Sequence, residues 1–196
     1  MPRRQLSLAL AIAVLIGMTA CTPAHPPQAT PADLTPPQST VAIAPQVSLQ
    51  CAQGNAETSP VPPDFLIADT VGTHFARHPL SRIPRAVEVG IPAPSLADWR
   101  FNKSPLLLTD AATSVTISVP DDGRQFLLWV PSAVWGGEDQ SAWITHQVIA
   151  AGCDQGGVSF FGGILATDPT RCFPLTIESG TRPPENLTVR ADGHPC

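Results

Sequence analysis

Hydrophobic and polar positions alternate most regularly between Ser114 and Val130. Val115, Ile117 and Val119 are separated by Thr116 and Ser118, the period of two expected of a half-buried strand. Pro120-Asp121-Asp122-Gly123 follows with turn chemistry: proline presets φ, aspartate can bond its own backbone, and glycine accepts a positive φ. Phe126 to Val130 is a continuous apolar run consistent with a buried strand, so the stretch predicts a β-hairpin. Further strands are expected over Phe65–Ala68, Phe173–Glu178 and Leu187–Arg190. Val158–Phe161 and Ile164–Leu165 read as two short strands or as one bent at Gly162-Gly163. Trp143 to Ala151 fits a short helix by spacing, but its β-branched residues predict a strand ending near Cys153. Val41 to Leu49 could add an edge strand, since Pro45 makes it a poor central one.

Between 70 and 105, prolines at 79, 84, 92, 94 and 105 break every run. Ala86-Val87-Glu88-Val89 is a short β-like piece in a stretch expected to cross between sheets. Seven or so short strands with no convincing helix predict an all-β fold, a disulfide-stapled β-sandwich. The chain has no tyrosine, which excludes the tyrosine corner and leaves "immunoglobulin-like" as a loose architectural term.

The amino terminus follows a different pattern. Arg3 and Arg4 precede the run Leu6 to Ile16, interrupted by Ser7 alone. At 1.5 Å per residue these eleven positions cover about half of the roughly 30 Å hydrocarbon core. That length suits a signal-peptide core and is too short to span a bilayer. The following Met18-Thr19-Ala20-Cys21 resembles the lipobox of bacterial lipoproteins, usually Leu-Ala/Ser-Gly/Ala-Cys, with Met18 in place of the leucine. The resemblance implies cleavage before Cys21, a diacylglycerol on its thiol, and acylation, for instance by palmitate, that anchors the protein to the extracytoplasmic face of the cell membrane. The alternative is an ordinary secretory signal with Cys21 as a spare thiol.

Residues 1–20 are thus expected to be a signal peptide and 21–50 a lipidated, proline-rich tether too poor in large apolar side chains to fold. Residues 51–196 are expected to form a single β domain. As polyproline II, the tether reaches at most roughly 90 Å. Loss of residues 1–20 removes two arginines and no acid, moving the formal net charge from −5 to −7. An acidic chain with one lysine, Lys103, argues against a nucleic-acid partner. The membrane, through the lipid, and an envelope protein or wall polymer are the partners expected.

Besides Cys21 there are four cysteines, an even number suited to an oxidising compartment, and three connectivities are open to them. The expected pairs are Cys153–Cys172, closing a local loop between neighbouring strands, and Cys51–Cys196, tying the last residue to the beginning of the domain. The segment Cys153…Phe161-Gly162-Gly163-Ile164…Cys172-Phe173-Pro174-Leu175 resembles the C-terminal part of exported actinobacterial β proteins, which join F-x-G-G or F-G-G to a downstream C-x-P-L. The resemblance covers about 25 residues. It implies the Cys153–Cys172 bond and a β fold, and it implies no activity.

Candidate chemistry is sparse. There is no G-x-S-x-G; Ser159 lies inside an expected strand, and S-x-x-K is missing. His74 and His78 have helical spacing but lack the glutamate of H-E-x-x-H and are followed by Pro79, so surface histidines are the better reading. The pairs Asp121-Asp122 and Glu138-Asp139 lack a D-x-D-G loop and read as solvated turns rather than calcium ligands. No metal or other cofactor is expected. Trp99, Trp135 and Trp143 could form a stacking platform, although Trp129 and Trp143 fall where core residues are expected. Trp135, flanked by a loop with two glycines, is the candidate contact residue, with Glu138, Asp139 and His146 nearby in sequence. Asn186-Leu187-Thr188 matches a glycosylation sequon, which carries no weight in a bacterial lipoprotein. The reading that follows is a non-catalytic binding or scaffolding domain on a lipid anchor. The alternative is a wall-directed hydrolase using His146 with Glu138 or Asp139.

Overall fold

The computed structural model describes residues 42–58, 66–68, 71–73, 82–91, 94–109, 114–154, 156–180 and 182–196. The expected signal peptide, Cys21, most of the tether, His74 and His78 lie outside the described residues. Among the described residues the fold is all-β, with two sheets in a sandwich-like arrangement and two disulfides.

One sheet has the order β1 (Val47–Leu49), β10 (Gln147–Ala151), β7 (Ser114–Ser118), β12 (Cys172–Ser179), β13 (Glu185–Arg190). Its pairs are antiparallel except β1 with β10. β1 is therefore the edge strand that the apolar pattern before residue 50 allowed. It lies inside the stretch read as tether, with Val47 and Leu49 buried around an exposed Ser48. Pro174 sits in β12 beyond the reach of β7, whose pairing starts at Thr176, so its missing N–H costs that ladder nothing.

The second sheet has the order β3 (Leu66–Ala68), β4 (Val71–Thr73), β6 (Leu106–Leu108), β11 (Gly157–Ala166), β8 (Gln125–Val130), β9 (Ile144–Thr145). The ten-residue β11 is its spine. Its first half pairs with β6 and β2 (Asn55–Glu57), its second with β5 (Arg100–Lys103) and β8. The apolar pieces around Gly162-Gly163 are thus one strand bent at glycine. Gly162 has φ 147°, and a Cβ there would lie 1.8 Å from the Leu128 carbonyl oxygen.

Four expectations are corrected. Residues 114–130 do not form a hairpin: β7 pairs with β10 and β12, whereas β8 pairs with β11 and β9 in the other sheet. The physical reason is burial. β7 buries alternate residues and faces the core with one side, whereas all six residues of β8 are buried. Leu127 and Trp129 point between the sheets, and Phe126, Leu128 and Val130 point outward under a second apolar cluster containing Ala86, Ile91 and Leu96.

Ala86–Val89 is no strand but a 3-10 turn, ended by Gly90 in a left-handed conformation at φ 76°. Arg85 donates its backbone N–H to Glu88 Oε2 at 2.9 Å, which closes that turn. Of the strand expected over Trp143 to Ala151, Trp143 ends a 3-10 turn, Glu138–Trp143, and the rest is split into β9 and β10 at His146, where the chain passes from one sheet to the other.

The disulfides are Cys51–Cys153 and Cys172–Cys196, with Cα separations of 5.3 and 5.9 Å, not the expected Cys153–Cys172 and Cys51–Cys196. Strand register explains both. Leu49 stands beside Ala150 in the parallel β1–β10 pair, so the two chains run on together to Cys51 and Cys153. Cys172 stands opposite Arg190, and the last residues fold back from that point. Cys153 and Cys172 follow and open strands on opposite sides of β7, too far apart in the sheet to be joined.

Candidate functional site

Trp135 lies in the turn after β8. Val134 donates its N–H to the Pro131 carbonyl, Gly137 donates to the Val134 carbonyl, and Gly136 takes φ 85°. This chain reversal folds the half-buried indole back onto the outer face of the second sheet. There its ring centroid is 6.1 Å from that of Phe101 on β5 and 5.8 Å from that of Phe161 on β11. Lys103, two residues beyond Phe101 and on the same face of β5, reaches over the rings. Its Nζ is 5.2 Å from the Trp135 centroid and 5.7 Å from that of Phe161.

Beside these rings is a cavity of about 210 Å³ lined by Arg82, Val89, Phe101, Asn102, Lys103 and Trp135. Among its lining residues Asn102 is buried and donates from Nδ2 to the Ala191 carbonyl at 2.5 Å, joining the second sheet to the last residues. Val89, at the end of the Ala86–Val89 turn, also lines it. Within that turn Glu88 is paired with Arg85, whose Nε is 2.9 Å from Glu88 Oε1; Asp98, nearly fully exposed, is 3.9 Å from Arg85 Nη1. The Arg85 backbone N–H, then its side chain, hold the Glu88 carboxyl below its ordinary value. Arg82 and Lys103 are exposed, and neither is in an ion pair among the described residues.

The other candidate residues lie elsewhere. His146 packs against Phe126, with ring centroids 4.6 Å apart, and its Nε2 is 3.3 Å from Asp121 Oδ1. Among the described side chains its carboxylate neighbour is thus Asp121, from the turn after β7, and not Asp139. Asp139 is exposed and does not line the cavity, and neither does His146. The three tryptophans form no common platform. Trp99 stacks on Phe126 at 4.7 Å and 16°, and Trp143 packs against both apolar clusters.

Hydroxyl and carboxylate groups are used structurally. Ser159 is buried and donates to Glu57 Oε1 at 2.5 Å, joining β11 to β2. Asp122 Oδ1 accepts from the Arg124 backbone N–H at 3.1 Å and from Gln125 Nε2 at 2.7 Å, as a turn residue does. Among the described residues, no three His, Cys, Asp or Glu side chains converge as a metal site would need.

Sequence reasoning singled out Trp135 but missed Arg82, Phe101, Lys103 and Phe161. Lys103 stood out only as the one lysine, and no spacing in the chain brings residues 82, 103, 135 and 161 together before the sheet is built. Comparison with family models, curated proteins and solved structures returned no match.

Proposed function

We propose that the protein is an envelope lipoprotein, held at the extracytoplasmic face of the membrane through Cys21, whose β domain binds a ligand without catalysing a reaction. The observation that carries the reading is the use of the cysteines. The two disulfides take the four cysteines of the domain and leave over the one that follows the lipobox-like Met18-Thr19-Ala20. Paired thiols suit an oxidising compartment, and a diacylated cysteine anchors far more firmly than one acyl chain. The tether then holds the domain off the bilayer.

Binding rather than hydrolysis is favoured by the placement of His146. A hydrolytic base must face a nucleophile or a water; this imidazole is 16 % exposed and packed at a tilt against Phe126, with Nε2 3.3 Å from Asp121 Oδ1. The groove under Trp135 offers aromatic and cationic contacts instead of an acid–base pair.

Metabolic labelling with a radioactive fatty acid tests the anchor: label is expected on the wild-type chain and lost in Cys21→Ser, and an unlabelled wild type overturns it. Binding is tested by screening the chain against wall polymers and envelope proteins. A saturable partner is expected, and hydrolysis of a wall polymer that is abolished by His146→Ala would replace this reading with the enzymatic one.

A further inference from the structure

We propose that the groove beneath Trp135 is a binding site for a small organic anion with a flat apolar body, a carboxylate carried on a ring or similar planar group. The inference rests on the binding-module reading and names the chemistry of its ligand.

Charge and shape both point there. The chain carries five more acids than bases, yet the described side chains lining this groove include Arg82 and Lys103 and no acid. The neighbouring Glu88 is turned to Arg85. Two cations that have no carboxylate partner among the described residues and that line one concavity of an acidic domain make a local positive field that attracts an anion and repels a cation. The guanidinium of Arg82 can hold a carboxylate through two parallel N–H···O bonds, and the ammonium of Lys103 offers three donors.

The walls supply the second half of the recognition. Phe101 and Trp135 present ring surface, and Val89 adds an aliphatic contact. The cavity, about 210 Å³, is smaller than the roughly 300 Å³ at which small-molecule sites usually begin. It holds one planar group and its charged substituent, not a whole oligosaccharide or helix. Lys103 lies over Trp135 and Phe161, so its ammonium is held at the rim by the ring faces and is preorganised for an anion entering between it and Arg82.

The test uses three probes with one ring system: 2-naphthoate, the neutral 2-naphthylmethanol and the cationic 2-naphthylmethylamine. They are titrated into the mature chain, residues 21–196 carrying Cys21→Ser, and followed on the indole N–H resonances, with that of Trp135 identified by Trp135→Phe. Naphthoate is expected to shift the Trp135 resonance saturably and to bind about tenfold tighter than the alcohol, with the amine weakest. Arg82→Gln and Lys103→Gln, both at exposed positions, should each lower naphthoate affinity about fivefold or more and leave the alcohol within about twofold.

Equal affinity for acid and alcohol, a preference for the amine, indifference to both substitutions, or no saturable shift at millimolar naphthoate would each overturn the proposal. The binding-module reading fails separately. An envelope component that bound wild type and the Arg82→Gln/Lys103→Gln chain equally would sink the anion site and leave the module. Naphthoate binding as expected, with no envelope component bound, would do the reverse.

Discussion

Trp129 donates its indole N–H to the carbonyl of Ser104 at 2.7 Å, with both residues buried. Ser104 lies between β5 and β6, where the partner of β11 is interrupted, and its own N–H donates to the Gly162 carbonyl at 2.8 Å. The tryptophan therefore closes a break in the sheet that would otherwise leave a buried acceptor without its donor. Trp129→Phe keeps a ring but removes that N–H. It is expected to destabilise by about 1–3 kcal/mol for the deprived carbonyl, with a further loss from the smaller side chain. Chemical denaturation of the two proteins measures it, and an unchanged midpoint would contradict the role given to this bond.

Gly162 and Gly163 meet backbone at the bend of β11. A Cβ would lie 1.8 Å from the Leu128 oxygen at Gly162, and 1.8 Å from the Asn102 oxygen at Gly163. Neither contact is with a side chain that could swing away. Gly162→Ala or Gly163→Ala is expected to cost at least about 3 kcal/mol or to abolish soluble expression. Gly123, at φ 69° with open space around it, is the control. Alanine there bears only the left-handed strain, of about 1 kcal/mol. Melting temperatures that fell equally for Gly123→Ala and Gly162→Ala would show that strain, and not the close approach, is what these glycines relieve.

How far the sequence could be read depended on which physics was local. The alternation at Val115, Ile117 and Val119 and the apolar run at Phe126–Val130 are local, and both became strands. Pro120-Asp121-Asp122-Gly123 does turn the chain, but turn chemistry does not say which sheet the next strand enters. The two patterns differ, one-faced against two-faced, and that difference was the available sign of opposite sheets. Cysteine number was legible while connectivity was not, because Cys51 meets Cys153 through the register of strands about one hundred residues apart. Of the groove, Trp135 alone was visible, since its glycine-rich loop is a local feature. The cations that give the groove its chemistry arrive from two separate segments.

Asp168 has a carboxyl held below its ordinary value of 3.8, first by the Thr170 hydroxyl, 2.6 Å from Oδ1, and next by the Thr170 backbone N–H at 2.9 Å. A carboxyl whose folded-state value is depressed contributes stability that is present above its unfolded value and is lost as pH falls through the folded one. The contribution should therefore be complete at neutral pH and disappear as pH falls below about 3.8. Asp168→Asn removes the titration. Its melting temperature should lie below that of wild type at pH 6, and the gap should narrow in acid. A gap that stayed constant from pH 6 to pH 2.5 would assign the role of Asp168 to shape and not to charge.

The two disulfides differ in what they close and in how they can be reached. Cys51–Cys153 spans 102 residues and Cys172–Cys196 spans 24. On the chain-entropy account these loops are worth about 4.7 and about 3.4 kcal/mol, so Cys51→Ser/Cys153→Ser should be the more damaging double substitution. Against a total stability of about 5–15 kcal/mol, that loss can leave the domain barely folded. Cys172 and Cys196 are exposed and Cys51 and Cys153 half-buried, so mild reductant should open the C-terminal bond first. Tryptic digestion without reduction checks the pairing itself. Cleavage after Arg171 and Arg190 should yield the peptide Cys172–Arg190 linked to Ala191–Cys196. Recovery of Gln125–Arg171 linked to Cys172–Arg190 would instead join Cys153 to Cys172, and that bond cannot form while β7 lies between β10 and β12.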